Sequence, residues 1–171
     1  RMMENCRLCP RECGVDRLHG QTGFCGMPAE PYAARAALHY WEEPCISGDC
    51  GSGTVFFSGC NLGCVFCQNR VISQENFGKT VTGEELYAIF ERLAEQGAHN
   101  IELVTPTQYT HALIELLERP MPGNLPVVWN SGGYERAETL RSLEGKVDIY
   151  LPDLKYVTPA LAEKYSRAGD Y

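Results

Sequence analysis

Three cysteines, Cys60, Cys64 and Cys67, stand close together in the stretch GCNLGCVFCQN, and no cysteine follows them in the chain. Clustered thiolates are ligands for soft metals and for iron–sulfur centres. A structural zinc site is normally closed by four protein ligands, and ferredoxin-type clusters take four thiolates. This loop supplies three. Either a fourth ligand comes from upstream, or one metal atom keeps an open position where a small molecule can coordinate and electrons can pass. Gly59 and Gly63 give the backbone the freedom to curl three sulfurs toward one point.

A second set lies near the start of the chain, Cys6-x2-Cys9-x3-Cys13 followed by Cys25. It offers four thiolates, and Gly14, Gly20, Gly23 and Gly26 would let the chain wrap around a metal. Structural zinc and a second iron–sulfur cluster both suit such a donor set. A disulfide pair is the plainer alternative. The nine cysteines are an odd number, and no apolar export signal precedes them, so the spacing favours metal over a closed set of disulfides. Cys45 and Cys50 fall outside both sets, and Cys50 reads as a free thiol. His19, His39, His99 and His111 are isolated from one another and lack ligand spacing, which makes them surface or packing residues. Trp41 and Trp129 read as packing residues.

The 171-residue chain is about the length of one domain and carries a formal net charge of −7. Residues 1–35 are nearly neutral, and the excess acid lies in residues 36–171. No basic stripe for nucleic acid is present, and no apolar run approaches the ~20 residues of a membrane span. A cytoplasmic location is expected. Residues 1–45 form a cysteine-rich, metal-binding segment with weak periodicity apart from a short apolar run at Tyr32–Leu38.

From Thr54 onward strands and helices alternate. Strands are expected at Thr54–Ser58, Ile101–Val104, Val127–Trp129 and Val147–Leu151. Helices are expected at Thr82–Gln96, Gln108–Glu118, Glu135–Leu143 and Pro159–Ala168. Thr82 and Glu85 make a capping box, Gly97 stands at C′, and Thr158 is placed to cap the last helix. Leu86, Ile89, Phe90 and Leu93 form one apolar stripe. Such alternation implies parallel strands joined by helical crossovers, in an open sheet or a segment of a barrel. Ligands of parallel α/β folds sit at the carboxyl ends of the strands. GCNLGC, TPTQ, NSGG and PDLK would therefore converge on one mouth.

CNLGCVFC resembles the CxxxCxxC signature of radical S-adenosylmethionine (radical SAM) enzymes. More narrowly, CRLCPRECGVDRLHGQTGFCG, EEPCISGDCGSGTVFFSGCNLGCVFCQN and YLPDLKY resemble the subgroup related to pyruvate formate-lyase activating enzyme. The resemblance implies that Cys60, Cys64 and Cys67 hold a [4Fe–4S] cluster whose fourth iron is chelated by S-adenosylmethionine. It implies reductive cleavage of that cofactor to a 5′-deoxyadenosyl radical, and a glycyl-radical enzyme as the hydrogen donor. A flavodoxin- or ferredoxin-type protein would supply the electron. Phe66 stands where the family places an aromatic residue against adenine.

Asn130, in the turn after the third strand, would face the cofactor. Asp153 and Lys155, in DLK after the fourth, would reach its ribose and carboxylate. The chain departs from the family after its second strand. Thr105-Pro106-Thr107 replaces a glycine-rich acidic turn, which leaves the hydroxyls of Thr105 and Thr107, or the backbone carbonyls, to accept the methionyl ammonium.

The family's partial barrel has six βα units. Residues 46–171 show about four, so this region is expected to be an incomplete core barrel and the chain a fragment of a longer protein. The alternatives are a non-catalytic iron–sulfur or zinc-binding electron-transfer module, or a radical SAM enzyme acting on a different substrate.

Overall fold

Alternating apolar and small polar residues bounded by glycine set the central strands. A computed structural model of the protein describes residues 3–171. Six strands, β1 (Tyr32–His39), β2 (Ser52–Phe57), β3 (Lys79–Thr80), β4 (Ile101–Val104), β5 (Val127–Ser131) and β6 (Ile149–Pro152), form one open sheet in the order β3-β1-β2-β4-β5-β6. β2, β4, β5 and β6 run parallel, as the alternating pattern requires. The apolar run at Tyr32–Leu38 is a strand of the same sheet. β1 pairs with β2 antiparallel and carries β3 antiparallel on its outer edge, so the sheet is mixed. The connection between β1 and β2 holds only the one-turn helix α1 (Pro44–Ser47), too little for the long crossover that a parallel pair needs.

Successive strand residues face opposite sides of the sheet. Val55, Phe57, Ile101, Leu103, Val127 and Trp129 face the helices and form the main core with Leu86, Phe90, Leu93 and Leu113. Ser52, Thr54, Glu102 and Val128 line the opposite face and are fully buried there.

Helices follow the strands in turn. α2 (Arg70–Ser73) is a single turn after the cysteine loop, and α3 (Gly83–Glu95) is the longest helix. Thr82 and Glu85 make the expected capping box, and Leu86, Phe90 and Leu93 are buried on one stripe. Gly97, at φ +88°, closes the helix by donating its N–H to Ala94 O. α4 (Thr110–Leu116) begins in a 3-10 turn at Thr107–Tyr109, and α5 (Ala137–Arg141) is shorter than its pattern suggests.

Thr158 precedes α6 (Pro159–Ser166) but makes no side-chain cap bond. Its carbonyl accepts the N–H groups of Leu161 and Ala162 instead. Trp41 is 90% exposed and is not a packing residue, because it lies on the connection after β1 and outside the core. Trp129 is 1% exposed in the main core. No helix among the described residues is long and apolar enough to cross a membrane.

Candidate functional site

Parallel order puts the carboxyl ends of β2, β4, β5 and β6 along one edge, and side chains and backbone tie these ends together. Gln108 Nε2 donates to Ser58 O (3.0 Å), Gly59 O (3.0 Å) and Thr105 O (2.8 Å), which joins the end of β2 to that of β4. Thr105 N–H reaches Asn130 O, and Asp153 N–H reaches Ser131 O, both at 2.9 Å. Gly59 takes φ +77° against the N-terminal segment. A Cβ there would lie 2.8 Å from Cys25 O and would collide with the Met27 side chain, so only glycine fits.

The loop that follows brings Cys60, Cys64 and Cys67 into one small apolar cluster with Leu62, Tyr134, Ala168 and Tyr171. Main-chain bonds fix it against α6: Gly63 N–H to Ser166 O (3.1 Å) and Val65 N–H to Tyr165 O (2.9 Å). Ser166 Oγ donates to Cys64 Sγ at 2.8 Å, Leu62 N–H to Cys60 Sγ at 3.3 Å, and Cys67 Sγ lies 3.1 Å from Ser73 Oγ. Burial pushes the Cys60 thiol up to about 12; Cys64 and Cys67 add to the rise, while the Leu62 N–H and the Lys155 charge oppose it. A thiol held this high keeps its proton until a metal ion binds the sulfur and displaces that proton to solvent. Among the described residues no group of three or more His, Cys, Asp or Glu side chains is placed to hold a metal ion. The donor set of this loop is three thiols in one apolar cluster, with no fourth cysteine in the loop. That arrangement fits a polynuclear iron–sulfur centre held by three cysteines.

Lys155 is drawn to the same place. Burial works against its charge, but the bond and charge of Asp153 outweigh that and raise its pKa, and Cys64 adds to the rise. Phe66 is 54% exposed, with its ring 6.3 Å from that of Tyr156. Asn130 lies on the face away from the helices, where its Nδ2 donates to Glu102 Oε1 at 2.8 Å. Thr105 sits at the edge with φ +56°, its N–H and carbonyl both engaged. Thr107 is buried, and its hydroxyl donates to Glu135 Oε1 (2.9 Å). Glu135 also accepts from Trp129 Nε1 (2.8 Å) and Ser131 Oγ (2.7 Å), so the Thr107 hydroxyl belongs to a network at the end of β5.

Cys6, Cys9, Cys13 and Cys25 line a single cleft in the N-terminal segment. Burial pushes Cys9 up to about 11 and raises Cys25 as well. Cys45 and Cys50 are exposed.

Sequence reasoning missed Glu102. It has no exposed surface, yet it accepts from Ser52 Oγ, Thr54 Oγ1 and Asn130 Nδ2, each at 2.8 Å. Its signal was a carboxylate in the otherwise apolar run IELV, paired in register with Thr54. Glu42 lies beside it. Burial first, then the charge and hydrogen bond of Glu102, raise Glu42 to about 7, with smaller contributions from Glu43 and Asp153. Arg11 was also missed: its Nε donates to Asn61 O at 2.9 Å inside the cysteine loop.

An uncharacterized protein of Methanocaldococcus jannaschii is 34% identical to this chain over 179 aligned residues, which cover 99% of the chain and 51% of that relative. The chain thus spans about half the length of the curated relative it matches. Residues 54–171, from β2 to the last residue, match the Radical SAM superfamily. The chain belongs to the radical SAM superfamily, whose members hold a [4Fe–4S] cluster and S-adenosylmethionine and are generally enzymes.

Proposed function

We propose that this chain carries the S-adenosylmethionine-cleaving centre of a radical enzyme, with Cys60, Cys64 and Cys67 holding its [4Fe–4S] cluster. The observation that carries the reading is the gathering of three thiols and Lys155 where β2 and β6 end, with no fourth protein ligand in the loop. When bound, the cluster supplies the electron that cleaves the sulfonium. The chain's own residues hold and screen it. Leu62, Tyr134 and Ala168 exclude water, and the Ser166 hydroxyl and Leu62 N–H donate to cysteine sulfurs. Lys155 would carry a cationic donor to the carboxylate of the cofactor, a charge-assisted bond. Phe66, half exposed beside Tyr156, would offer its ring to adenine.

The finer reading is an activating enzyme that makes a glycyl radical on a partner protein, with a flavodoxin- or ferredoxin-type electron donor. It rests on the resemblance of CRLCPRECGVDRLHGQTGFCG and YLPDLKY to that subgroup. Anaerobic reconstitution of the full-length protein, followed by dithionite and S-adenosylmethionine, tests the core of the proposal. The expected result is 5′-deoxyadenosine formation that disappears in Cys64→Ala; equal product in both would overturn it. A glycyl-radical signal in the electron paramagnetic resonance of a glycyl-radical enzyme encoded beside this gene would support the activase reading. Its absence, with cofactor cleavage intact, would point to another substrate.

A further inference from the structure

Arg17 is buried to 2% exposure. Its Nε donates to Met27 O (3.1 Å) and Pro28 O (3.2 Å), its Nη2 donates to Pro28 O, and its Nη1 donates to Gln108 O (2.7 Å). None of the ion pairs among the described residues includes it. A buried cation satisfied only by neutral carbonyls is costly, and negative charge close by would offset that cost. Its surroundings also include the Tyr109 ring, 5.8 Å from the guanidinium carbon, and the thiols of one cleft. Arg17 Nη1 lies 3.7 Å from Cys6 Sγ.

Four thiols border the same cleft as Arg17. Cys6, Cys9, Cys13 and Cys25 line it together with Arg11, Glu12, Phe24 and Gln108, and the Glu12 carboxylate pairs with Arg136. Gln108 is 2% exposed, and its Oε1 is buried without a partner. Phe24 N–H points to Cys13 Sγ at 3.4 Å. A Cβ on Gly23 would sit 2.7 Å from Cys13 Sγ, so glycine leaves room for this exposed thiol at the edge of the cleft. Four thiolates on a metal centre would bring negative charge beside a buried guanidinium that makes no ion pair of its own.

Two kinds of centre take four thiolates. Tetrahedral zinc draws four sulfurs to about 2.3 Å from one ion. No three His, Cys, Asp or Glu among the described residues converge in that way, and the same is true of the Cys60, Cys64 and Cys67 loop. Four thiolates lining one cleft meet the ligand count of a [4Fe–4S] cluster, whose iron corners are spread over several atoms.

We infer that Cys6, Cys9, Cys13 and Cys25 hold a second iron–sulfur cluster of the [4Fe–4S] class, with Arg17 as its buried counter-cation. The site lies outside the region that matches the superfamily and does not depend on the Cys60 loop. The two sets are nonetheless neighbours, since Gly59 abuts Cys25 O and Gly63 lies close to the Phe24 ring.

The test uses the full chain with Cys60→Ser, Cys64→Ser and Cys67→Ser combined, reconstituted anaerobically with iron and sulfide. Iron and acid-labile sulfide are counted, and zinc is measured in the same samples. The expected result is about four irons and four sulfides per chain in this variant and about eight of each in the parent, as two four-iron clusters require. Cys13→Ser, at an exposed cysteine where folding is little disturbed, should retain about four irons in an otherwise unaltered chain. No iron above background in the triple variant would overturn the inference, as would one equivalent of zinc that iron and sulfide fail to displace. These readouts require no S-adenosylmethionine turnover. Failure of the cleavage assay therefore leaves them standing, and their failure leaves that assay standing.

Discussion

Glu102 shows how one residue sets the chemistry of a whole face. Its carboxylate takes the hydroxyls of Ser52 and Thr54 and the amide of Asn130 in a place without solvent. Glu102→Leu would strand three buried donors and is expected to cost about 3 kcal/mol in urea unfolding, whereas Glu102→Gln, which keeps the shape, should cost about half of that. Glu42 is the partner that titrates. Its pKa is raised to about 7 in the folded chain, above the ordinary carboxyl value near 4.5, chiefly by burial and then by Glu102. A group that binds its proton more tightly when folded contributes stability that is complete below the unfolded value and is lost as pH climbs through about 7. The parent chain should therefore lose stability between pH 5 and pH 8 by about 1 kcal/mol after solvent screening, and Glu42→Gln should flatten that slope. An unchanged slope in Glu42→Gln would show that another group is responsible.

At the scale of elements, α3 and the cysteine loop are stabilised in opposite ways. α3 is a locally specified helix: Thr82 Oγ1 accepts Glu85 N–H at 3.2 Å, and Glu85 Oε2 accepts Thr82 N–H at 2.8 Å. Thr82→Ala should cost about 1 kcal/mol in thermal or denaturant unfolding. The Thr82 N–H holds the Glu85 carboxyl below its usual value. The box therefore stabilises above the unfolded carboxyl pKa and is lost as pH falls through the lower folded value. The penalty of Thr82→Ala should shrink in acid. The cysteine loop has little regular structure of its own and takes its shape from Gln108, α6 and the glycine at position 59.

Across the whole molecule, the N-terminal segment clasps both the loop and α5. Arg11 donates to Asn61 O, Ser166 O and Arg167 O, and its guanidinium lies 3.6 Å from the centre of the Phe24 ring and 5.2 Å from that of Tyr134. Thr139 Oγ1 reaches Leu8 O at 2.6 Å, and Arg136 pairs with Glu12. Arg11→Met keeps the aliphatic stem but removes five donors. It is expected to speed limited proteolysis within residues 3–31 by several-fold and to lower iron retention at the cysteine loop on dilution. Unchanged cleavage would mean that the α5 contacts alone hold the segment.

The sequence by itself determined what depends on local order. The strand at Ile101–Val104 matches its pattern residue for residue, the capping box of α3 stands where Thr82 and Glu85 put it, and the spacing of Cys60, Cys64 and Cys67 announced a three-thiol loop. Local spacing carries such features because they form between near neighbours. Tertiary structure alone decided the rest, because those contacts join residues far apart in the chain. β1 joined the sheet only by pairing with β2, Glu102 became a buried acceptor only when Ser52, Thr54 and Asn130 came alongside, and the Thr107 hydroxyl went to Glu135. The four N-terminal cysteines could be grouped by spacing. The buried guanidinium of Arg17 beside them came into view only once the chain was folded around it.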